Sequence, residues 1–236
     1  MIRLNDIEKR YARNYVLKKV SFEIEPGKIT AIVGPNGSGK TTIIKSILGL
    51  VKPDSGNISI DGKPIKGEHS YRRMIGYMPQ IASFPENLTV SEVIKMISDL
   101  REEEIDIQSN LIELLNLIPE MNKRINALSG GNKQKLSAYV ALIFNPKIII
   151  LDEPTAGLDP VTSTNFKQKI LEERDNGKTV VLTSHIMTEI EELADNIIFL
   201  IEGKIMFNGM TKTLIEQSGH KKLEKAIADL MAGNSK

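Results

Sequence analysis

The chain has 236 residues, enough for one large domain or two packed lobes, and its 41% hydrophobic and 26% charged content is ordinary for a globular protein. Lys and Arg number 31 against 30 Asp and Glu, a formal net charge of +1, which excludes broad electrostatic capture of nucleic acid or of an anionic membrane. Cysteine is absent, which excludes disulfides and thiolate metal sites and suits a reducing compartment.

Taken in chain order, the first residues carry no apolar h-region of a secretory signal. Ile2-Arg3-Leu4 and Val20-Ser21-Phe22-Glu23-Ile24 alternate apolar and polar, the pattern of half-exposed antiparallel strands. After the Pro26-Gly27 turn, residues 29–33 read as a buried strand, and residues 41–50 have helical spacing. Strands are expected at 57–60 and 75–78. From 85 to 141 the periodicity turns helical, at 90–97 and 107–117, with no convincing strand between. Strands resume at 148–151, 179–183 and 197–200, with helices between and an amphipathic helix over 221–231. The apolar runs at 148–151 and 196–201 fall far short of the ~20 residues that span a bilayer. This alternation predicts an α/β fold with a mainly parallel sheet, an antiparallel β subdomain at the N-terminus, and a helical subdomain inserted over about 85–141 between core segments of about 1–84 and 142–236.

Two segments carry chemistry. Gly34-Pro35-Asn36-Gly37-Ser38-Gly39-Lys40-Thr41 satisfies G-x-x-x-x-G-K-[ST], directly after a strand and before a helix. In that setting the glycines let backbone N–H groups cradle phosphate oxygens at the positive end of the helix. Lys40 adds a point charge for the β- and γ-phosphates, the Thr41 hydroxyl can ligate Mg²⁺, and Thr42 follows in the same turn. The loop alone says that a nucleoside triphosphate binds. The second segment is Ile148-Ile149-Ile150-Leu151-Asp152-Glu153, a buried strand ending in two acids. Such acids either are solvated or face a cation, since a carboxylate leaving an apolar strand is costly unless neutralised. Beside a triphosphate, Asp152 can hold Mg²⁺ through water and Glu153 can polarise the attacking water.

Five further segments resemble the ATP-binding-cassette (ABC) family. Leu128-Ser129-Gly130-Gly131-Asn132-Lys133-Gln134 is similar to its signature motif, and Asp152 through Pro160 resembles its Walker B and D-loop in continuous order. Ser184-His185 resembles the switch histidine, and Tyr77-Met78-Pro79-Gln80 the Q-loop. Tyr11 precedes the phosphate loop at the spacing of an adenine-stacking aromatic, with Tyr15 as the nearby alternative. The resemblance covers nearly the whole chain. It implies a phosphate-loop NTPase core that binds ATP and Mg²⁺, with Gln80 sensing metal and γ-phosphate, His185 positioning water, and Asp159 near the nucleotide. It also implies an ATP-dependent head-to-tail homodimer, in which Ser129, Gly130 and Gly131 cap the γ-phosphate held by the other copy. Asn132 and Lys135 depart from the family's Gln and Arg.

A single cassette without a long coiled-coil insertion or apolar spans resembles the ATPase subunit of a transporter with a separate membrane permease. Such a subunit works at the cytoplasmic face of the inner membrane. Residues 80–88, with Phe84-Pro85, are the expected contact with that permease, although Phe84 also reads as ordinary packing. Residues 129–163 and 183–187 are most similar to exporter-type cassettes, especially the ATPase of copper-site maturation for nitrous oxide reductase. That group implies a periplasmic accessory protein, and the near-neutral charge gives no basic face for nucleic acid. A soluble ABC-type regulator or nucleic-acid factor is the alternative.

Overall fold

The computed structural model describes residues 1–65, 67, 69–105 and 110–232. Strands β1 (Ile2–Tyr11) and β2 (Asn14–Ile24) pair antiparallel, with Ile2 opposite Ile24 and Leu4 opposite Phe22. Next come β3 (Ile29–Val33), α1 (Lys40–Ile47), β4 (Ser55–Ile60), the two-residue β5 (Lys63–Pro64) and β6 (Ile75–Met78). Helices α2 (Val90–Arg101), α3 (Asn110–Leu114) and α4 (Gly130–Leu142) follow, with no strand among the described residues between β6 and β7 (Ile148–Asp152). The chain then runs through α5 (Pro160–Asp175), β8 (Thr179–Thr183), α6 (Met187–Leu193), β9 (Asn196–Ile201), β10 (Lys204–Met210), α7 (Thr211–Ser218) and α8 (Leu223–Met231).

The strands form two sheets. One is antiparallel in the order β2-β1-β4-β5. The other has the order β10-β9-β3-β8-β7-β6 and is parallel throughout except for β10. Every residue of β3, β7 and β8 is buried, and alternate residues serve different cores. Ile32, Ile150 and Val181 join α1 residues Ile43, Ile44 and Ile47 and the antiparallel sheet's Leu4 and Phe22 in one cluster. Ala31, Leu151 and Leu182 face the other way, onto the helices. Burial of such a side chain contributes about 1.5–3 kcal/mol, so these two-faced strands are the stable floor on which the loops at their ends are mounted.

The helical segment is anchored to that floor at Gly76. A Cβ there would lie 1.8 Å from the Ala141 carbonyl oxygen, so α4 rests on β6 closer than any side chain permits. The structure departs from the sequence expectations in several places. Gly49, at φ 67°, ends α1 early, at Ile47. Residues 107–109 of the helix expected over 107–117 lie outside the described residues, and α3 covers 110–114. Strand β10 and helix α7 were not expected. Glu202 and Gly203, at φ 47° and 76°, make the tight left-handed turn that folds β10 back on β9.

Candidate active site

Buried β3 delivers the chain into Gly34, whose φ of 154° is open to glycine. A Cβ there would sit 2.2 Å from the Leu200 carbonyl oxygen, so the loop passes against the end of β9. The β9–β10 turn braces it from the same side. The Gly203 N–H donates to Ser38 O at 3.1 Å, and the Lys18 N–H donates to Gly203 O at 2.9 Å. Gly39, at φ 111°, then caps α1 without any side-chain hydrogen bond, leaving the first-turn amides for a ligand. Lys40 Nζ donates to Gly34 O at 2.7 Å and to Pro35 O at 3.1 Å, which holds the ammonium over the loop. Burial pushes the Lys40 ammonium below the usual lysine range, and the Glu153 and Asp152 carboxylates oppose that shift.

Those carboxylates leave the end of β7. Asp152 is buried and accepts a hydrogen bond from the Thr183 hydroxyl of neighbouring β8. Glu153 takes a left-handed φ of 55°, a conformation that costs a non-glycine residue about 1–3 kcal/mol and persists where the surroundings enforce it. Its N–H donates to Thr183 O at 3.1 Å and reaches Thr183 Oγ1 at 3.2 Å. So turned, Glu153 Oε2 lies 2.8 Å from His185 Nδ1; the carboxylate is buried and the imidazole mostly exposed. A carboxylate oriented by a solvent-facing imidazole, beside an ammonium on a glycine loop, can activate water against a bound phosphoryl group.

A cavity of about 510 Å³ gathers Gly34, Asn36, Lys40, Gln80, Glu153 and His185. Four of the expected segments meet here: the phosphate loop, Glu153 after β7, the glutamine after β6 and the histidine after β8. Thr41 and Thr42 lie in the first turn of α1. Ser129, Gly130 and Gly131 do not line the cavity; they form the start of α4, where the Ser129 hydroxyl accepts from the Asn132 N–H at 3.2 Å. The Asp159 carboxylate caps α5, accepting from the Thr162 N–H at 2.9 Å, and pairs with the buried Lys135 Nζ at 2.8 Å, so its charge is committed within the chain. Tyr11 and Tyr15 are about half exposed on the β1–β2 hairpin, outside the cavity lining; Lys9 lies over the Tyr11 ring and Arg10 over the Tyr15 ring.

The residues fit a magnesium nucleotide. The first-turn amides of α1 carry no side-chain cap, and the buried Ser38 hydroxyl in the loop before them has no partner among the described residues. Thr41, Gln80 and Asp152 offer hard oxygen donors, whereas the described residues contain no cluster of three or more acidic or histidine ligands that would bind a metal alone. That suits Mg²⁺, which takes one or two protein ligands and completes its shell with phosphate and water. Sequence reasoning missed Thr183, which holds both acids in place, and the α8 residues Ile227 and Met231, which form an apolar wall of the cavity. A hydroxyl at the end of an adjacent strand, in register with Asp152, was the available signal for Thr183.

Comparison with known proteins agrees with this geometry. The family described as ABC transporter matches residues 17–156. The Nod factor export ATP-binding protein I of Burkholderia thailandensis is 35% identical over 221 residues, covering 91% of this chain and 72% of that protein. The probable multidrug ABC transporter ATP-binding protein YbhF of Escherichia coli is 34% identical, over 92% of this chain and 38% of that longer protein. Among solved structures, the ATP-binding subunit of an ABC transporter superposes with a TM-score of 0.90 at 28% identity, covering 98% of this chain and 99% of the other. A dimeric ATP-binding cassette in a post-hydrolysis state, bound to ADP and Pi, gives 0.79 at 29% identity over 89% of this chain and 98% of its own.

Proposed function

The chain belongs to the ABC transporter family, and from that premise we propose that it is the ATP-hydrolysing subunit of an exporter, working as a head-to-tail dimer on a separate membrane permease. The observation that carries the reading is the 2.8 Å contact between Glu153 and His185 at the mouth of the Lys40 loop.

In this mechanism Lys40 and the amides of residues 34–39 bind the β- and γ-phosphates of ATP. Thr41, Gln80 and Asp152 would hold Mg²⁺, which would supply charge neutralisation for the phosphate oxygens. Glu153 accepts a proton from the attacking water, and His185 fixes the direction in which that carboxylate points. The γ-phosphoryl passes to water, and ADP leaves with the former bridging oxygen. Ser129, Gly130 and Gly131, exposed or half-exposed at the start of α4, reach the γ-phosphate of a second copy, so that closure depends on ATP. Tyr11 stacks on adenine, and the Asp159 loop lies close to the shared nucleotide. Residues 85–141 act as a helical lobe, tethered through Gln80, that carries closure to the permease at the cytoplasmic face of the inner membrane.

No helix of the described residues is long and apolar enough to cross a membrane, so the spans belong to the permease in this reading. Export follows the printed functions of relatives, such as Nod factor export. The resemblance over residues 129–163 extends the proposal to copper-site maturation of nitrous oxide reductase, with a periplasmic accessory protein as a further partner.

The test is Glu153→Gln. It keeps ATP binding, loses hydrolysis by about a hundredfold or more, and accumulates as a dimer in light scattering. Normal turnover in that variant removes Glu153 from its role.

A further inference from the structure

One buried carboxylate is not used by this mechanism. Glu189 stands in the first turn of α6 and is 8% exposed, whereas the acids that follow on the same helix, Glu191 and Glu192, face solvent. Its two oxygens accept from two different loops. The Thr155 hydroxyl donates to Oε1, and the Ser184 hydroxyl donates to Oε2 at 3.1 Å. Both donors are themselves buried. Thr155 lies two residues beyond Glu153, and Ser184 directly precedes His185. The Ser184 oxygen also accepts from the Ile186 N–H at 3.0 Å, so the backbone on both sides of His185 is held.

We propose that Glu189 is the positioning residue that sets the Glu153–His185 contact, by tying the loop that carries the base to the loop that carries the imidazole. This rests on the catalytic reading above. A buried carboxylate is retained only where its oxygens are satisfied, and here each oxygen is satisfied by a different half of the pair. The strained Glu153 backbone needs such a clasp, because a shift of about 1 Å in a reacting group costs about a hundredfold in rate. Glu189 does not line the cavity. It acts through the two loops.

The test measures kcat, KM for ATP and thermal unfolding in one series. Glu189→Ala lowers kcat about tenfold to a hundredfold while KM moves less than about threefold. Glu189→Gln restores kcat to within about threefold, because an amide can accept from one hydroxyl and donate to the other. With His185→Ala already present, Glu189→Ala lowers kcat by less than about threefold more, since the contact it protects is gone. Unchanged kcat in Glu189→Ala, a glutamine variant as slow as the alanine one, or fully multiplicative effects with His185→Ala each overturn the proposal. If Glu189→Ala does not fold, Thr155→Val and Ser184→Ala decide it: each removes one arm and slows kcat at constant KM, and neither doing so overturns it. Glu153→Gln in the same assay separates the two levels. Turnover there defeats the catalytic reading itself, whereas an inactive Glu153→Gln beside a fully active Glu189→Ala defeats only the clasp.

Discussion

Two helices of this chain begin among small residues, and their first turns are built for different purposes. Helix α1 starts from Gly39 in a left-handed conformation with no side-chain cap, and Lys40, Glu153, His185 and Gln80 converge on the cavity in front of it. Helix α4 starts from Ser129, whose hydroxyl takes the Asn132 amide, and its first turn lies outside that cavity. Further along α4, Lys135 is pinned to Asp159. The first turn has every group needed to hold and attack a phosphate. The second has amides and a rigid mount, and in the proposed dimer it meets a phosphate held by the other copy, so that the two turns are unequal half-sites of one composite site.

The largest effect tests that division directly. Lys40→Ala removes the phosphate-binding charge, and Ser129→Asp places a negative charge where a γ-phosphate is to be capped; each protein alone loses hydrolysis by about a hundredfold or more. Mixed in equal amounts, they form hybrid dimers with one intact composite site, built from the unaltered loop of one copy and the unaltered signature of the other. Steady-state phosphate release then returns to about a quarter of the native rate if the sites act independently. No recovery on mixing means that the two turns do not serve one nucleotide.

A smaller effect sharpens the contrast from within α4. A Cβ on Gly131 would lie 2.6 Å from the Gly157 carbonyl oxygen, while one on Gly130 meets nothing within 4 Å. Gly131→Ala therefore pushes the signature turn off the loop that leads to Asp159, at a cost of about 1–3 kcal/mol in chemical denaturation. Gly130→Ala leaves unfolding within about 0.5 kcal/mol of native. Equal unfolding midpoints for the two variants contradict the rigid mount.

The same contrast explains what could be read in the sequence. Strands buried on both faces are mostly apolar runs, so β3 and β8 match their expected limits residue for residue. Strand β10 is half-exposed, with the mixed pattern Lys204-Ile205-Met206-Phe207-Asn208, and its Glu-Gly turn lacks the usual Asn-Gly or Asp-Gly signal. The phosphate loop and the two acids are contiguous and were legible as chemistry. The Glu153–His185 contact joins residues 32 apart, and only the family resemblance linked them. Glu189 was not legible at all. In the run Glu189-Ile190-Glu191-Glu192 nothing but the fold distinguishes the buried acid from its solvated neighbours.

The smallest effect concerns the mount of α4 and is read through pH. Asp159 is held well below the usual carboxylate range, first by the hydrogen bond from Lys135 and then by the Thr162 amide and hydroxyl. A depressed carboxylate stabilises the fold above its unfolded value, 3.8 for this group, and that contribution is lost as pH falls through the lower folded value. Asp159→Asn keeps a good helix cap but has no charge to lose. Its thermal midpoint therefore sits slightly below native near neutral pH, and the gap narrows as pH drops below about 4. The carboxylate is half exposed, so the difference is modest and shrinks in high salt. A gap that stays constant down to about pH 3 means that the Lys135 pair contributes nothing in solution, and that α4 is held by its packing.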